Sequence, residues 1–214
     1  MISSILQPDG TSDDMSTGVT ESSDGRLARR DRNRTAVLDA MIELFTEGEL
    51  EPTPEQVAQR VGLSPRSVYR YFADRESLIR AAIDRHLDGV WHLYLIPAIG
   101  QGDTEDRIVR FIGCRIQLYE AIAATARATR MSATTDEIMR EQLEATRRAL
   151  RDQIERHFAP ELDAMPAATR RGRVAAIDAL CELESLDHYR IHRGFSSSDT
   201  HTLLLDALRA LLEH

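Results

Sequence analysis

Side chains that hydrogen-bond to phosphates and base edges are concentrated in one short stretch of the sequence, residues 53–75. They are hydroxyls, phenols and guanidinium groups, together with one proline: Thr53, Ser64, Pro65, Arg66, Ser67, Tyr69, Arg70, Tyr71 and Arg75. Such groups hold the DNA backbone, and arginine also reads guanine through two hydrogen bonds. Residues 60–75 carry four arginines and one acid, a local charge of +3. The stretch therefore predicts a nucleic-acid contact surface.

The first element that must position these groups is a short helix beginning after Thr53. Thr53 is a good N-cap, Pro54 suits the first helical position, and Gln56 completes a capping box. Gly62 follows the apolar face of this helix, where a tight turn needs a residue that tolerates a left-handed backbone.

Ser64 and Pro65 repeat the pattern of cap and proline, so a second short helix starts after the turn. Val68 and Phe72 are four residues apart and face inward, which leaves the polar side chains outward. Asp74 then caps a third helix. Together these elements predict a helix-turn-helix.

At these residues the sequence resembles the TetR family of bacterial transcriptional regulators. The matching positions are Thr53, Ala58, Gly62, Leu63, Ser64, Tyr69, Tyr71, Phe72 and Leu78, preceded by Ala40, Leu44, Phe45 and Gly48. The resemblance covers residues 34–83. Arg75 stands where the family usually has lysine, and Leu50 replaces a frequent aromatic residue.

The resemblance implies a double-stranded DNA operator as partner. Phosphate contacts are expected from Thr53, Ser67, Tyr69, Tyr71 and Arg75, and base contacts from Arg66 with Pro65. The alternative is that the tyrosines only pack and that Arg70 or Arg75 is merely solvated. Residues 26–34 form a basic arm, which either reaches DNA or is the solvated start of a helix.

The pattern after residue 75 is helical throughout, so we predict an all-α fold with three parts. These are a disordered tail over 1–25, a three-helix DNA-binding domain over 26–75, and a helical effector-binding and dimerisation domain over 76–214. Capping and periodicity predict helices over Asp31–Glu47 and from Asp74 towards Pro97, followed by one capped by Asp103 or Thr104. A Thr134–Glu137 capping box predicts a helix over Asp136–Phe158. A further helix is predicted over Ala167–Arg193, ending at Gly194, and Ser197 or Ser198 caps the last one.

The resemblance also implies a homodimer, formed by the last two helices. It further implies a small-molecule effector that shifts the helix after Asp74. The aromatic, methionine and cysteine side chains of the body are candidates for an effector pocket: Trp91, Tyr94, Phe111, Cys114, Tyr119, Met131, Phe158 and Cys181. Ordinary core packing is the alternative for each. Their apolar character predicts a hydrophobic or weakly polar effector.

Net charge and composition limit the other classes of function. The total of −8 divides into −5 over residues 1–25, +1 over 26–86 and −4 over 87–214, so the basic surface is narrow.

No apolar run reaches transmembrane length and no signal peptide is evident, which predicts a cytoplasmic protein without membrane contact. Glu184, His188 and His192 share one helical stripe, but the spacing alone does not make a metal site, and we predict neither metal nor cofactor.

Three other functions stay open on the residues alone. The same head could belong to a transcriptional activator, or it could dock another protein. An enzyme is the third alternative, but no nucleophile and base, glycine-rich phosphate loop or metal cluster supports it, and we predict no catalytic residue.

Overall fold

The computed structural model describes residues 21–213, and this part of the chain is all-α, without a β-strand. The α-helices, in chain order, are α1 Glu21–Thr46, α2 Pro54–Arg60, α3 Pro65–Tyr71, α4 Arg75–Val90, α5 Thr104–Ser132, α6 Glu137–His157, α7 Ala159–Leu162, α8 Ala167–Cys181, α9 Leu183–Asp187 and α10 Ser197–Leu212. A 3-10 turn, Trp91–Tyr94, follows α4, and a π-helical turn, His188–His192, follows α9. Among the described helices none has the length and hydropathy needed to cross a membrane.

Helix α1 begins at Glu21, ten residues before the predicted start at Asp31. Residues 26–30 are arginine, leucine and alanine, which favour helix, so the helix extends back from the apolar region. The basic arm is therefore part of a helix. Of the predicted tail over 1–25, residues 21–25 are helical, and residues 1–20 lie outside the described residues.

The chain divides into two compact units. In the described part, the head unit comprises residues 21–88 and 127–143, and the body unit comprises residues 89–126 and 144–213. The boundaries fall inside α4, α5 and α6, so each of these helices contributes residues to both units.

The head unit is built on the apolar face of α1. Val37, Met41 and Phe45 on this face are almost fully buried. Helices α2 and α3 pack on α1 and on each other. Their buried side chains include Val57 and Val68, so each short helix is held by its apolar contacts with its neighbours.

Hydrogen bonds at the start of α6 differ from those predicted. The cap is Asp136, whose Oδ1 accepts from the backbone N–H groups of Ile138 at 3.0 Å and Met139 at 3.3 Å. The predicted Thr134–Glu137 capping box is wrong, because the Thr134 hydroxyl donates backwards to the Met131 carbonyl at 2.7 Å. Asp136 also forms an ion pair with Arg80 of α4, within the same unit.

The body unit has one apolar core formed by α5, α6, α8 and α10. Its buried members include Phe111, Phe158, Ile177 and Leu208. The rings of Phe111 and Phe158 meet edge to face, with centroids 5.2 Å apart, a favourable geometry for aromatic pairs.

The predicted single helix from Ala167 to Arg193 is interrupted. Glu182 takes an extended conformation with ψ of 151°, which ends α8 and starts α9. Neither proline nor glycine marks this break. Gly194, with φ of +68°, ends the π-helical turn as predicted. The last helix is capped by Ser196, whose side chain accepts from the N–H of Asp199 at 3.1 Å, so the predicted caps were one or two residues late.

Buried His157 links three segments of the body unit. Its Nδ1 accepts from the Gly100 N–H at 3.2 Å, and its Nε2 lies 2.9 Å from the Arg107 carbonyl. An Nδ1 that accepts a hydrogen bond carries no proton, so the imidazole is neutral with its proton on Nε2. Burial lowers the pKa of His157, and the nearby charges of Arg110 and Arg107 lower it further, against the bond to the Arg107 carbonyl.

We expect acidification to weaken the fold through His157. Below about pH 6.5, the ordinary pKa of histidine, the unfolded chain takes up a proton at this residue and the folded chain does not. The stability that His157 contributes is thus complete above this pH and declines as the pH falls. Urea unfolding of wild type at pH 7.5 and pH 5.5 measures the difference.

His157→Gln keeps a donor and an acceptor but does not titrate, so it should lose less stability than wild type over this interval. His92→Gln, which removes an exposed histidine of the same unit, controls for the substitution itself. An unchanged pH dependence in His157→Gln would contradict the assignment.

Candidate nucleic-acid interface

The predicted helix-turn-helix is formed by α2, the turn at Gly62, and α3. The Thr53–Gln56 capping box is confirmed: the Gln56 N–H donates to Thr53 Oγ1 at 3.2 Å, and the Thr53 N–H donates to Gln56 Oε1 at 2.7 Å. The Thr53 hydroxyl accepts this bond while its own proton stays available for a phosphate oxygen at the positive end of α2.

The turn between the helices has the predicted left-handed residue. Gly62 has φ of +67°, a conformation that costs other L-residues energy. Ser64 then begins α3, accepting from the Ser67 N–H at 3.3 Å. The hydroxyls of Ser64 and Ser67 also lie 2.9 Å apart, so these two predicted contact residues form one polar pair at the start of α3.

Helix α3 has one buried and one exposed side. Val68 is buried, as predicted, and Phe72, which follows the helix, is also buried. Pro65, Arg66, Tyr69 and Arg70 are exposed, and their spacing of one, four and five residues places them on one face. At seven residues, α3 is about 10 Å long, a length that fits into a major groove.

The arginines of this region differ in what they contact. Arg60 donates to both carboxylate oxygens of Glu47, at 2.6 and 2.7 Å. Arg75 donates from Nε to the Pro52 carbonyl at 3.0 Å. In contrast, Arg66 and Arg70 form no ion pair within the described part of the chain, so their charges are left for an external anion.

The predicted contact residue Arg75 is thus also a tether for the loop before α2. Its guanidinium also pairs with Glu51 at 3.7 Å, but it has five N–H groups in all, so a phosphate contact is compatible with this position. Which of the nine predicted side chains touch DNA stays a prediction.

Tyr71 is joined to the basic part of α1. Its hydroxyl is 3.4 Å from an Arg70 nitrogen and 3.5 Å from Asn33 Nδ2. These hydrogen bonds, from Arg70 first and Asn33 second, lower the pKa of Tyr71, with a smaller contribution from the charge of Arg30. Arg34 lies over the Phe72 ring, 5.2 Å from its centroid.

Asn33 and Arg34 were missed as neighbours of the motif by sequence reasoning, which treated the arm only as a charged segment. The helical register was the available signal: residues 30, 33 and 34 lie on one side of α1 with buried Val37. The basic surface therefore continues from α3 onto α1.

The predicted effector residues are distributed over different environments. Phe111, Tyr119, Phe158 and Cys181 belong to the core of the body unit, and half-buried Cys114 packs against it. Tyr94 is half-buried in the 3-10 turn. Trp91, in the same turn, and Met131, in the head unit, are exposed. Of the eight predicted effector residues, the fold therefore brings together only these five of the body core.

The stripe of Glu184, His188 and His192 does not form a metal centre. Glu184 pairs with Arg147 at 2.6 Å. The rings of His188 and His192 are 5.9 Å apart within the π-helical turn, which changes the register of the stripe. In the described part of the chain no group of three histidine, cysteine or carboxylate side chains is arranged to hold a metal ion.

Fold and exposed motif define the chain as a helix-turn-helix, DNA-binding transcriptional regulator. The model of bacterial regulatory proteins of the tetR family matches residues 37–82. Over 146 residues the chain is 30% identical to the HTH-type transcriptional regulator BetI of Brucella anthropi, covering 67% of this chain and 73% of that protein. The chain belongs to the TetR family.

Solved structures share the fold at lower identity. A tetR-family regulator from Streptomyces coelicolor is 21% identical with a TM-score of 0.63, covering 85% of this chain and 80% of that one. A putative TetR-family regulator from Rhodococcus sp. is 21% identical with a TM-score of 0.61, covering 85% and 100%. NalD of Pseudomonas aeruginosa is 21% identical with a TM-score of 0.54, covering 86% and 98%.

We expect Gly62→Ala to destabilise the protein by about 1–2 kcal/mol, because alanine at positive φ brings its Cβ close to the following carbonyl. No other atom lies within 4 Å of a Cβ built at Gly62, so backbone strain is the only cost. Gly113, inside α5, has equally open surroundings and no positive φ.

Gly113→Ala is therefore the matched control and should stabilise the protein by roughly 0.5–1 kcal/mol through helix propensity. Urea unfolding of both variants gives the two free energies. Changes of the same sign would show that the turn does not require its left-handed residue.

Proposed function

We propose that the chain is a ligand-responsive repressor that binds a palindromic DNA operator as a homodimer. The exposed face of α3 is the observation that carries the proposal. It presents Arg66 and Arg70, which form no ion pair with any described residue, beside the phenol of Tyr69. Arg66, with Pro65 at the start of the helix, is proposed to read bases, while hydroxyl and phenol groups hold phosphates.

The last helix supports pairing of two copies. In α10, Leu204, Leu208 and Leu212 form the stripe buried in the body core. A second apolar stripe, Leu203, Ala207 and Leu211, follows at the same four-residue steps and is only half-buried. A second copy would cover it, and a two-fold dimer matches a palindromic operator.

Helices shared by the two units support a response to an effector. A small molecule bound in the body unit contacts helices that also contribute to the head unit, and α4 is held in the head unit by the Arg80–Asp136 ion pair. An effector that binds one conformation of these helices better than another would shift the protein between operator-competent and incompetent forms.

Repression is proposed by comparison with a protein of the same fold. NalD is the secondary repressor of the MexAB-OprM multidrug efflux pump in Pseudomonas aeruginosa. A reporter placed behind the selected operator distinguishes repression from activation by the direction in which its expression changes when the regulator is present.

Selection of binding sites from a random duplex library tests the proposal. The expected result is an enriched palindrome, bound by a species of twice the chain mass in sedimentation equilibrium. Arg66→Ala should weaken binding by about tenfold or more and relax the preference at one base pair of each half-site.

Arg148→Ala, which removes an exposed arginine from α6 outside the motif, is the control for loss of charge and should leave the selected sequence unchanged. Equal behaviour of the two variants would remove Arg66 from the base-reading role. Absence of any enriched sequence would favour a protein-docking role for the motif.

The helical extension of α1 leads to a separate prediction about phosphate contacts. Arg30 lies on the side of α1 that faces Tyr71, whereas Arg32, two residues further, points about 160° away. Both side chains are exposed. Arg30→Gln should weaken binding equally for all operator variants and reduce the slope of log affinity against log salt by about 0.9, the value for one phosphate contact.

Arg32→Gln removes the same charge two residues away and should have little effect on the slope. Titrations at four salt concentrations with one fixed operator measure both. Matching slopes for the two variants would mean that this end of α1 is only solvated.

A further inference from the structure

One buried arginine of the body unit forms no ion pair with any residue that the structure describes. Arg115 of α5 is only 4% exposed. It donates from NH1 to Gln153 Oε1 and from NH2 to the Leu150 carbonyl, both at 3.0 Å, and lies over the Phe111 ring at 4.7 Å. All three partners are neutral. Of its five N–H groups, three have no acceptor in the described part of the chain.

Another buried arginine of the same helix has a carboxylate as its partner. Arg107 is 5% exposed and forms an ion pair with Glu161, itself 6% exposed. The Thr104 hydroxyl donates to the same carboxylate at 2.7 Å. Arg107 thus meets a carboxylate inside the unit, although its Nε and Glu161 Oε2 have no partner among the described residues. Arg115 meets no carboxylate in the described part of the chain, and an unmatched buried charge is costly.

No described neighbour of Arg115 gives it a carboxylate in hydrogen-bond contact. Asp178 lies within electrostatic range, but its carboxylate accepts from Arg151 at 2.7 Å. Burial raises the pKa of the Cys181 thiol to about 12 and also raises that of Cys114, so both thiols are neutral. Burial likewise lowers the pKa of Arg115, but a guanidinium keeps its proton in proteins.

The surroundings of the guanidinium combine an apolar wall with a fixed orientation. Phe111 belongs to the body core and Cys114 packs against it. Gln153, which accepts from Arg115, is held in turn by its own donation to the Tyr94 carbonyl at 2.6 Å. Two of the residues predicted from sequence as effector contacts, Phe111 and Cys114, therefore adjoin Arg115, and the backbone of Tyr94 is linked to it through Gln153.

We propose that Arg115 is the anchor of an effector site in the body unit for a small organic carboxylate with an apolar body. This inference rests on the proposed function and names its ligand class. A carboxylate accepts two parallel hydrogen bonds from the free N–H groups and neutralises one positive charge with one negative charge. A phosphate group, with about −1.5 to −2 charges at pH 7, would leave the site with excess negative charge.

Thermal unfolding with matched ligand pairs tests the site. The probes are hexanoate and benzoate, each compared with its neutral primary amide, and inorganic phosphate as the alternative anion. We expect the carboxylates to raise the unfolding midpoint of wild type and the amides to leave it unchanged. Arg115→Gln should weaken carboxylate binding by about 10- to 100-fold, the range for hydrogen bonds to a charged group.

Arg110→Gln is the control on the same helix. Arg110 is half-buried and donates to the Ala98 and Gln101 carbonyls at 3.0 and 2.9 Å, so its loss should leave the preference for carboxylates over amides intact. Carboxylates that stabilise wild type no more than their amides, or a preference that survives in Arg115→Gln, would overturn the proposal. Stabilisation by phosphate alone would overturn the carboxylate class.

A second measurement needs no ligand. Removing an unmatched buried charge lowers the free energy of unfolding less than removing one partner of a buried ion pair. Ligand-free Arg115→Gln should therefore be clearly more stable than Arg107→Gln, which leaves Glu161 buried without its partner. Equal destabilisation of the two variants would show that Arg115 is already balanced within the fold, and the proposal would be wrong.

Operator binding separates this inference from the proposed function. If operator binding persists while no carboxylate binds at Arg115, the regulator stands and the ligand class is wrong. If carboxylates bind through Arg115 but leave operator affinity unchanged, the site stands and the proposed ligand-responsive regulation is wrong.

Discussion

The short recognition helix α3 has to be held in place by the rest of the head unit, because a helix of seven residues is not stable by itself in water. Its single buried residue, Val68, and the adjacent Phe72 supply the apolar contact. Caps at both short helices and the left-handed turn at Gly62 then fix its direction. Arg66, Tyr69 and Arg70 are left exposed as a consequence, and this exposure is what permits contact with DNA.

Much of this motif could be predicted because its signals are local. The Thr53 capping box, the positive φ of Gly62 and the inward positions of Val68 and Phe72 each depend on residues within one or two turns. The resemblance to the TetR family depended on the same local register, and the family assignment confirmed it. The all-α body was also predictable from helical periodicity alone.

Predictions failed where several local solutions competed. Three successive serines, Ser196 to Ser198, lie at the start of α10, and only the structure shows that Ser196 provides the cap. At α6, Thr134 and Asp136 are both good caps, and Asp136 also pairs with Arg80 from a distant part of the sequence. The break at Glu182 has no local signal, since the residue is an ordinary helix former.

Charge inside the body unit shows most clearly what a single sequence does not contain. Arg107 and Arg115 are eight residues apart on α5 and look alike in sequence. Within the described part of the chain, only Arg107 of the two meets a carboxylate, that of Glu161, which is more than fifty residues away. The apolar residues of the body predicted an effector with little polarity, because the burial of Arg115 could not be read from its neighbours. The proposed carboxylate adds one negative charge to such an apolar body, because the charge of a buried guanidinium is poorly screened. Such a ligand would stabilise whichever arrangement of α5 and α6 brings its carboxylate to Arg115. Both helices also contribute residues to the head unit, so the proposed ligand would act on helices that belong to both units.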